Sequence, residues 1–381
     1  MGRDIPLGRL AGIKVTMDLT VLLVAGYYTW ALATNRFPIE APGLSTTTYW
    51  VAGFAGAVLF FVSLLVHEVG HALVARDEGI GVRSISLWLL GGVAKLESAP
   101  TTARSEFRIA VVGPVASAAT GVAFLAGAYT MPEGGIPGLM GNLFRLLGML
   151  NLFLAAFNII PAAPLDGGTV LSSIVWRRTG SQATGMKVAA YAGLVVGAAL
   201  AIFGFKEVRA GDGSIYGLSL LFVGAFVLYA AVRSLRAIPL YAAFDGATVA
   251  DAMAPTPPTV PGWTTVGAFL RTLPPDTPHQ AYPVVGETGG VTGLLTASAI
   301  RSVPAHQWDA LRVADLAFPL DRVTIVRREE PLLPAVQKID GGDVRDGLVV
   351  DPDGTIVGTI DASALFRALE RRKGLDAAPV A

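Results

Sequence analysis

His67-Glu68-Val69-Gly70-His71 sets two imidazoles four positions apart with a carboxylate beside the first. Residues i and i+4 share one face of a helix, so both rings can reach a single cation while the glutamate points beside it. That is the HExxH arrangement of zinc hydrolases, in which the imidazoles hold the metal and the carboxylate takes a proton from the attacking water. The setting is unusual for such chemistry. Val58 through Val66 run apolar into the motif, broken only by Ser63. Three ionisable groups at the end of a membrane-length apolar segment are costly and mark a functional site by default.

A catalytic zinc needs a third protein ligand and an open position. Cysteine is absent, which removes thiolate ligands, disulfides and a cysteine nucleophile together. His279 and His306 lie far off in the polar C-terminal part. Asp166 is the better candidate, in Asn158-Ile159-Ile160-Pro161-Ala162-Ala163-Pro164-Leu165-Asp166-Gly167-Gly168. Its prolines and glycines break a helix and turn the carboxylate inward. One Zn²⁺ per chain, held by His67, His71 and Asp166, would bring the pKa of a water towards about 7. Glu68 would then move the proton, and Asn158 would hydrogen-bond the substrate backbone or the developing oxyanion.

These residues must be carried by membrane-crossing elements. Of the 381 residues 52% are hydrophobic and 15% charged, well below the roughly 25% charged residues of soluble domains. Stretches at 15–34, 49–71, 107–131, 140–161, 187–205 and 214–232 approach the roughly 20 residues that a spanning helix requires. The first is too long for the apolar core of a signal peptide and reads as a retained helix; Asp18 within it reads as an interfacial or paired residue. Lys and Arg crowd the loops before the first span, between the second and third, between the fourth and fifth, and after the sixth. Both termini are therefore expected in the cytoplasm, with His67 and His71 at the cytoplasmic end of the second span. The end of the fourth span brings Asp166 to the same side. No basic block points to nucleic acid.

Residues 82–97 do not suit a helix. Arg83, Ser84 and Ser86 alternate with apolar residues before Gly91-Gly92 breaks the run, which predicts two short strands dipping into a protein-lined cavity. A substrate helix must unwind before it is cut, and a strand edge at Gly91 and Gly92 can receive it by β-addition. Past residue 240 the pattern changes. Val249-Ala250-Asp251-Ala252-Met253 returns 64 positions later as Val313-Ala314-Asp315-Leu316-Ala317, and Tyr282-Pro283-Val284-Val285 returns 65 positions later as Gly347-Leu348-Val349-Val350, predicting a tandem α/β module.

The two motifs together resemble the site-2 protease family of intramembrane zinc metallopeptidases, through His67-Glu68-Val69-Gly70-His71 and through Asn158 to Asp166-Gly167-Gly168. Leu90-Gly91-Gly92 and Gly113-Pro114 are similar to the family as well, the latter pair being expected as a close-packing kink. The resemblance covers 1–236, and residues 241–306 and 307–374 resemble two CBS repeats. It implies a polytopic α-helical membrane protein of about six transmembrane helices with a short membrane-dipping β element and a C-terminal α/β tandem CBS domain. It implies cleavage of the transmembrane segment of a membrane-anchored protein, such as an anti-sigma-factor-like regulator, within the lipid bilayer, and a homodimer through the CBS repeats. CBS pairs that bind adenine nucleotide carry a ribose-contacting Asp where this chain has Ala299 and Ala364, which counts against that cofactor. Two rival readings are a CBS-gated transporter or channel and an inactive relative. Polar residues gathered on two spans, without repeated halves, speak against the first. The intact His67, Glu68, His71 and Asp166 speak against the second.

Overall fold

A computed structural model describes residues 5–88, 91–210, 215–244, 246–255, 258–273, 281–361 and 363–364. Leu90, His279 and the last residues of the second repeat lie outside them. The chain divides into two compact units, Met1–Leu96 with Pro100–Ala242, and Glu97–Ala99 with Ala243–Ala381.

The first unit opens on strands β1 (Ile5–Leu10) and β2 (Ile13–Met17). They form a hairpin that turns on Ala11 and Gly12, at φ 49° and 79°. Two left-handed residues match the twist of the flanking strands, and the Arg76 guanidinium holds the turn by donating to the Ala11 carbonyl at 2.6 Å. β2 runs parallel to β3 (Val82–Trp88), which pairs antiparallel with β4 (Gly91–Leu96). The order β1-β2-β3-β4 leaves β4 as a free edge.

The expected span at 15–34 therefore begins differently. Ile13 and Val15 are buried with Lys14 exposed between them, as in a strand, and the strand ends at Met17. Asp18 then caps α1 (Leu19–Ala31), its carboxylate accepting from the Thr20 N–H at 2.9 Å. A π-helical turn, Leu32–Arg36, and α2 (Phe37–Glu40) continue that helix.

α3 (Thr46–Asp77) is the central element. Its 32 residues rise about 48 Å, longer than the ~30 Å hydrocarbon core of a bilayer. One face of the sheet packs on it through Ile13, Ile85 and Ala72, with Leu65 and Val69 beside them. α4 (Ala103–Tyr129), α5 (Gly135–Asn158), α6 (Asp166–Thr179), α7 (Gln182–Arg209) and α8 (Ile215–Ala243) follow. Among the described residues, five helices are long and apolar enough to cross a membrane: Thr46–Asp77, Ala103–Tyr129, Gly135–Asn158, Gln182–Arg209 and Ile215–Pro239. Large apolar side chains such as Leu23, Phe153 and Val195 stay exposed on these helices and on α1, as a multi-pass membrane protein requires.

In the second unit the repeats exchange strands. β5 (Ala254–Pro255) leads the first repeat, and β6 (Val260–Pro261), α9 (Val266–Thr272), β7 (Ala281–Val285), β8 (Val291–Thr296) and α10 (Ala297–Arg301) complete it. α11 (Val313–Leu316), β9 (Phe318–Pro319), β10 (Thr324–Arg327), α12 (Leu332–Asp340), β11 (Asp346–Val350) and β12 (Ile356–Asp361) form the second. The sheets run β6-β7-β8-β9 and β10-β11-β12-β5, so each repeat lends its leading strand to the other. The exchange extends beyond the strands: Leu332 N–H donates to the Ala247 carbonyl, and Val266 N–H to that of Leu311. The two repeats thus make one interlocked module.

Candidate metal centre

α3 brings His67, Glu68 and His71 into the interior, each at most 9% exposed. Asp166 comes from the first turn of α6 rather than from the end of α5. The glycines that follow it do not break this helix. A side chain on Gly167 would strike the backbone of Ile159 and Ile160, so glycine there lets α6 start hard against the preceding loop. The result is a cluster of one ligand-type atom each from His67, His71 and Asp166, all within 4.8 Å of one another.

Its hydrogen bonds decide which atoms face inward. His71 Nδ1 lies 2.6 Å from the Ile109 carbonyl oxygen. A carbonyl only accepts, so Nδ1 carries a proton, and Nε2 is the ring atom that faces the cluster. His67 Nδ1 meets Ser117 Oγ at 2.9 Å, and the two Nε2 atoms lie 3.1 Å apart. Asp166 Oδ2 sits 3.1 Å from His67 Nε2 and 3.4 Å from His71 Nε2, yet this buried oxygen has no hydrogen-bond donor. Two imidazole nitrogens and a carboxylate oxygen thus converge at 3.1–3.4 Å. Such a buried arrangement asks for a cation. Two imidazole nitrogens and one carboxylate oxygen are the donor set of a catalytic zinc.

The partners of the imidazoles were not legible in the sequence. Ile109, Gly113 and Ser117 lie at i, i+4 and i+8 on α4 and form one stripe facing α3. Gly113 is more than a kink before Pro114: a side chain there would strike the His71 ring and stand 2.7 Å from His67 Nε2. Ser117 is fully buried. A backbone carbonyl and a missing side chain leave no mark in a sequence; only Gly113 and Ser117, four apart, offered a faint one.

β4 closes the other side. Ala94 N–H donates to Glu68 Oε2 at 3.1 Å. A side chain on Gly92 would strike Glu68 Cγ and lie 2.9 Å from its Cδ. Gly91 stands at φ 142°, where the chain turns into the strand. Asn158 is not drawn into the cluster by any hydrogen bond of its amide, which donates to the Leu154 carbonyl within α5 at 3.1 Å. His306 lies in the second unit, on a short exposed turn.

The model of peptidase family M50 matches residues 55–137 and 136–203. Rip3 of Mycobacterium tuberculosis, whose name carries the words zinc metalloprotease, is 37% identical over 366 residues, covering 96% of this chain and 93% of the relative. The site-2 protease from Methanocaldococcus jannaschii is a structural neighbour at TM-score 0.41 and 27% identity, covering 61% of this chain and 95% of its own. The CBS-pair protein CBSX2 from Arabidopsis thaliana is another, at TM-score 0.29 and 23% identity, covering 34% of this chain and 98% of its own.

Proposed function

Since the chain belongs to peptidase family M50 and is a metalloprotease, we propose that it cuts transmembrane segments of membrane-anchored regulatory proteins within the bilayer, with one zinc on His67, His71 and Asp166. The observation that carries this reading is the convergence of two imidazole nitrogens and Asp166 Oδ2 at 3.1–3.4 Å inside a membrane-spanning unit. A bound zinc supplies Lewis acidity and makes a water acidic enough to ionise near neutral pH. The protein's own groups do the rest. The Ile109 carbonyl and Ser117 hydroxyl fix both imidazole orientations, so that no rearrangement is needed. Glu68 stands next to a ligand on the same helix, where its carboxylate can take a proton and return it to the leaving amine. Asn158 retains its proposed role at the substrate backbone, since its second N–H and its Oδ1 are not used by the bond to Leu154.

The free edge of β4 at Gly91 and Gly92 receives the unwound substrate. Substrates should therefore carry Gly, Asn, Ser or Pro near the cut, where a helix yields cheaply. The excess of Lys and Arg in alternate loops supports both termini and the CBS pair facing the cytoplasm. The CBS pair is read as a dimerisation or docking module. Ala299 and Ala364 are buried methyl groups that cannot accept a bond from a ribose hydroxyl, which speaks against an adenine nucleotide.

The test is one full-length preparation assayed for zinc and for cleavage of a membrane-embedded segment. Wild type should carry one zinc per chain and lose cleavage with a chelator. Glu68→Gln should keep the zinc and lose about 100- to 10,000-fold in rate. A Glu68→Gln variant that cleaves at the wild-type rate would overturn the assignment.

A further inference from the structure

On the face of the sheet turned away from α3, the register sorts charge onto one rung. Arg9 pairs with Lys14, Lys14 with Ser84, and Ser84 with Lys95. Directly paired residues project to the same face, so three cations lie in a row across the four strands. All three are exposed. Lys95 is the one on β4, the edge strand that touches Glu68, and among the described residues it makes no ion pair.

β4 has two functions along its length. The Ala94 N–H points to Glu68 at the free edge rather than back to β3. Backbone groups alternate between the two sides of a strand, so those of Gly92 face the same free edge. A substrate strand added there lays one residue beside Ala94 and Glu68, on the inner face. The residue next to it lies opposite Lys95, on the outer face, with Cβ atoms about 5 Å apart. A cavity of about 440 Å³ opens on that face, lined by Asp18, Thr20, Ser86, Trp88, Val93 and Lys95. Asp18 is the carboxylate of this lining; it caps α1 past the end of β2. Strands lie about 4.8 Å apart, which puts Lys14 about 10 Å and Arg9 about 14 Å from Lys95, at or beyond the screening length of physiological salt. Lys95 therefore dominates what an added strand meets.

Resting on the peptidase reading above, we propose that Lys95 selects substrates: the unwound segment carries an Asp or Glu adjacent to the residue that lies over Glu68, and this carboxylate pairs with the Lys95 ammonium. Val93, on the same face two positions earlier and 45% exposed, favours an apolar side chain beside it. The substrate class is thus an extended segment with one acidic residue flanking the cut.

The experiment uses the full-length, zinc-loaded protein in phosphatidylcholine vesicles with a model transmembrane segment whose cut is located by mass spectrometry. Asp, Asn and Lys are scanned through the positions on either side, and each rate is expressed relative to the Asn segment for the same enzyme. At one position Asp should exceed Lys about 10-fold in kcat/KM, the sum of one favourable and one unfavourable cross-strand charge pair. Lys95→Glu should invert that order at the same position, and Lys95→Gln should flatten it. An unchanged order in Lys95→Glu overturns this inference and leaves the peptidase reading standing. No zinc-dependent cleavage of the Asn segment by the wild type would overturn both.

Discussion

α4 and β4 approach α3 from different sides, and each does so through a glycine. Gly113 of α4 lies against the imidazole nitrogens, whereas Gly92 of β4 lies against the Glu68 side chain. The helix also supplies the Ile109 carbonyl and Ser117 hydroxyl to the rings. The strand supplies the Ala94 N–H to the carboxylate. Holding the metal and handling the proton thus rest on separate elements, one rigid within the helix packing and one at a sheet edge that can also receive a substrate strand. The two glycines should therefore fail in different ways when given a methyl group.

Gly113→Ala should have the largest effect. Its Cβ strikes a ligand atom itself, so the loss should exceed the 10- to 100-fold typical of removing a ligand's hydrogen-bond partner, and cleavage should vanish with the zinc. Metal analysis after dialysis against a buffered zinc series checks this. Gly92→Ala should keep wild-type zinc and lose cleavage by about 100-fold or more, because Glu68 is displaced from its place beside the ligands. Zinc loss in Gly92→Ala, or cleavage without loss in Gly113→Ala, would erase the distinction between the two walls. Ser117→Ala is the milder probe of the α4 wall. It removes one partner of His67 and should weaken zinc by about 10-fold, with full cleavage restored at saturating metal.

The chemistry was legible where it resides in side chains at fixed spacing. His67, Glu68 and His71 declare themselves at i, i+1 and i+4, and Asp166 follows from the need for a third ligand on the same side of the membrane. What the sequence hid is backbone or absence: the Ile109 carbonyl, the Ala94 N–H, and the space left by Gly92 and Gly113. Gly167-Gly168 reads as a helix breaker, yet both residues lie inside α6, because tertiary contact with the preceding loop demands small residues more strongly than propensity forbids them. Val15, Thr16 and Met17 join an apolar run into Leu19, so a strand and a helix merge into one apparent span until Asp18 is seen to cap α1. The repeat spacing of 64 announces two α/β units, but nothing local to β5 or β9 says that each is given to the other's sheet.

The second unit offers the smallest effect and a contrast in how a half-buried acid is treated. Asp166 faces two imidazoles, whereas Asp346 opens β11 directly opposite Asp361 on β12. Burial, and then the Asp361 carboxylate, push Asp346 up to about 6, against a lesser pull from Arg301. The folded chain therefore holds this proton in a range where the unfolded chain has released it. Stability from this site falls as pH rises from about 4 to about 6 and stays lower above that. Asp346→Asn should raise the thermal transition of the second unit at pH 7.5 and remove the part of its pH dependence between about 4 and 6. The gain should stay below about 2 kcal/mol, since the group is partly solvated. Calorimetry of the full-length protein at pH 4.5 and 7.5 reads both, and a variant that is destabilised at pH 7.5 would show that Asp346 is held as a partner of Arg301 rather than tolerated beside Asp361.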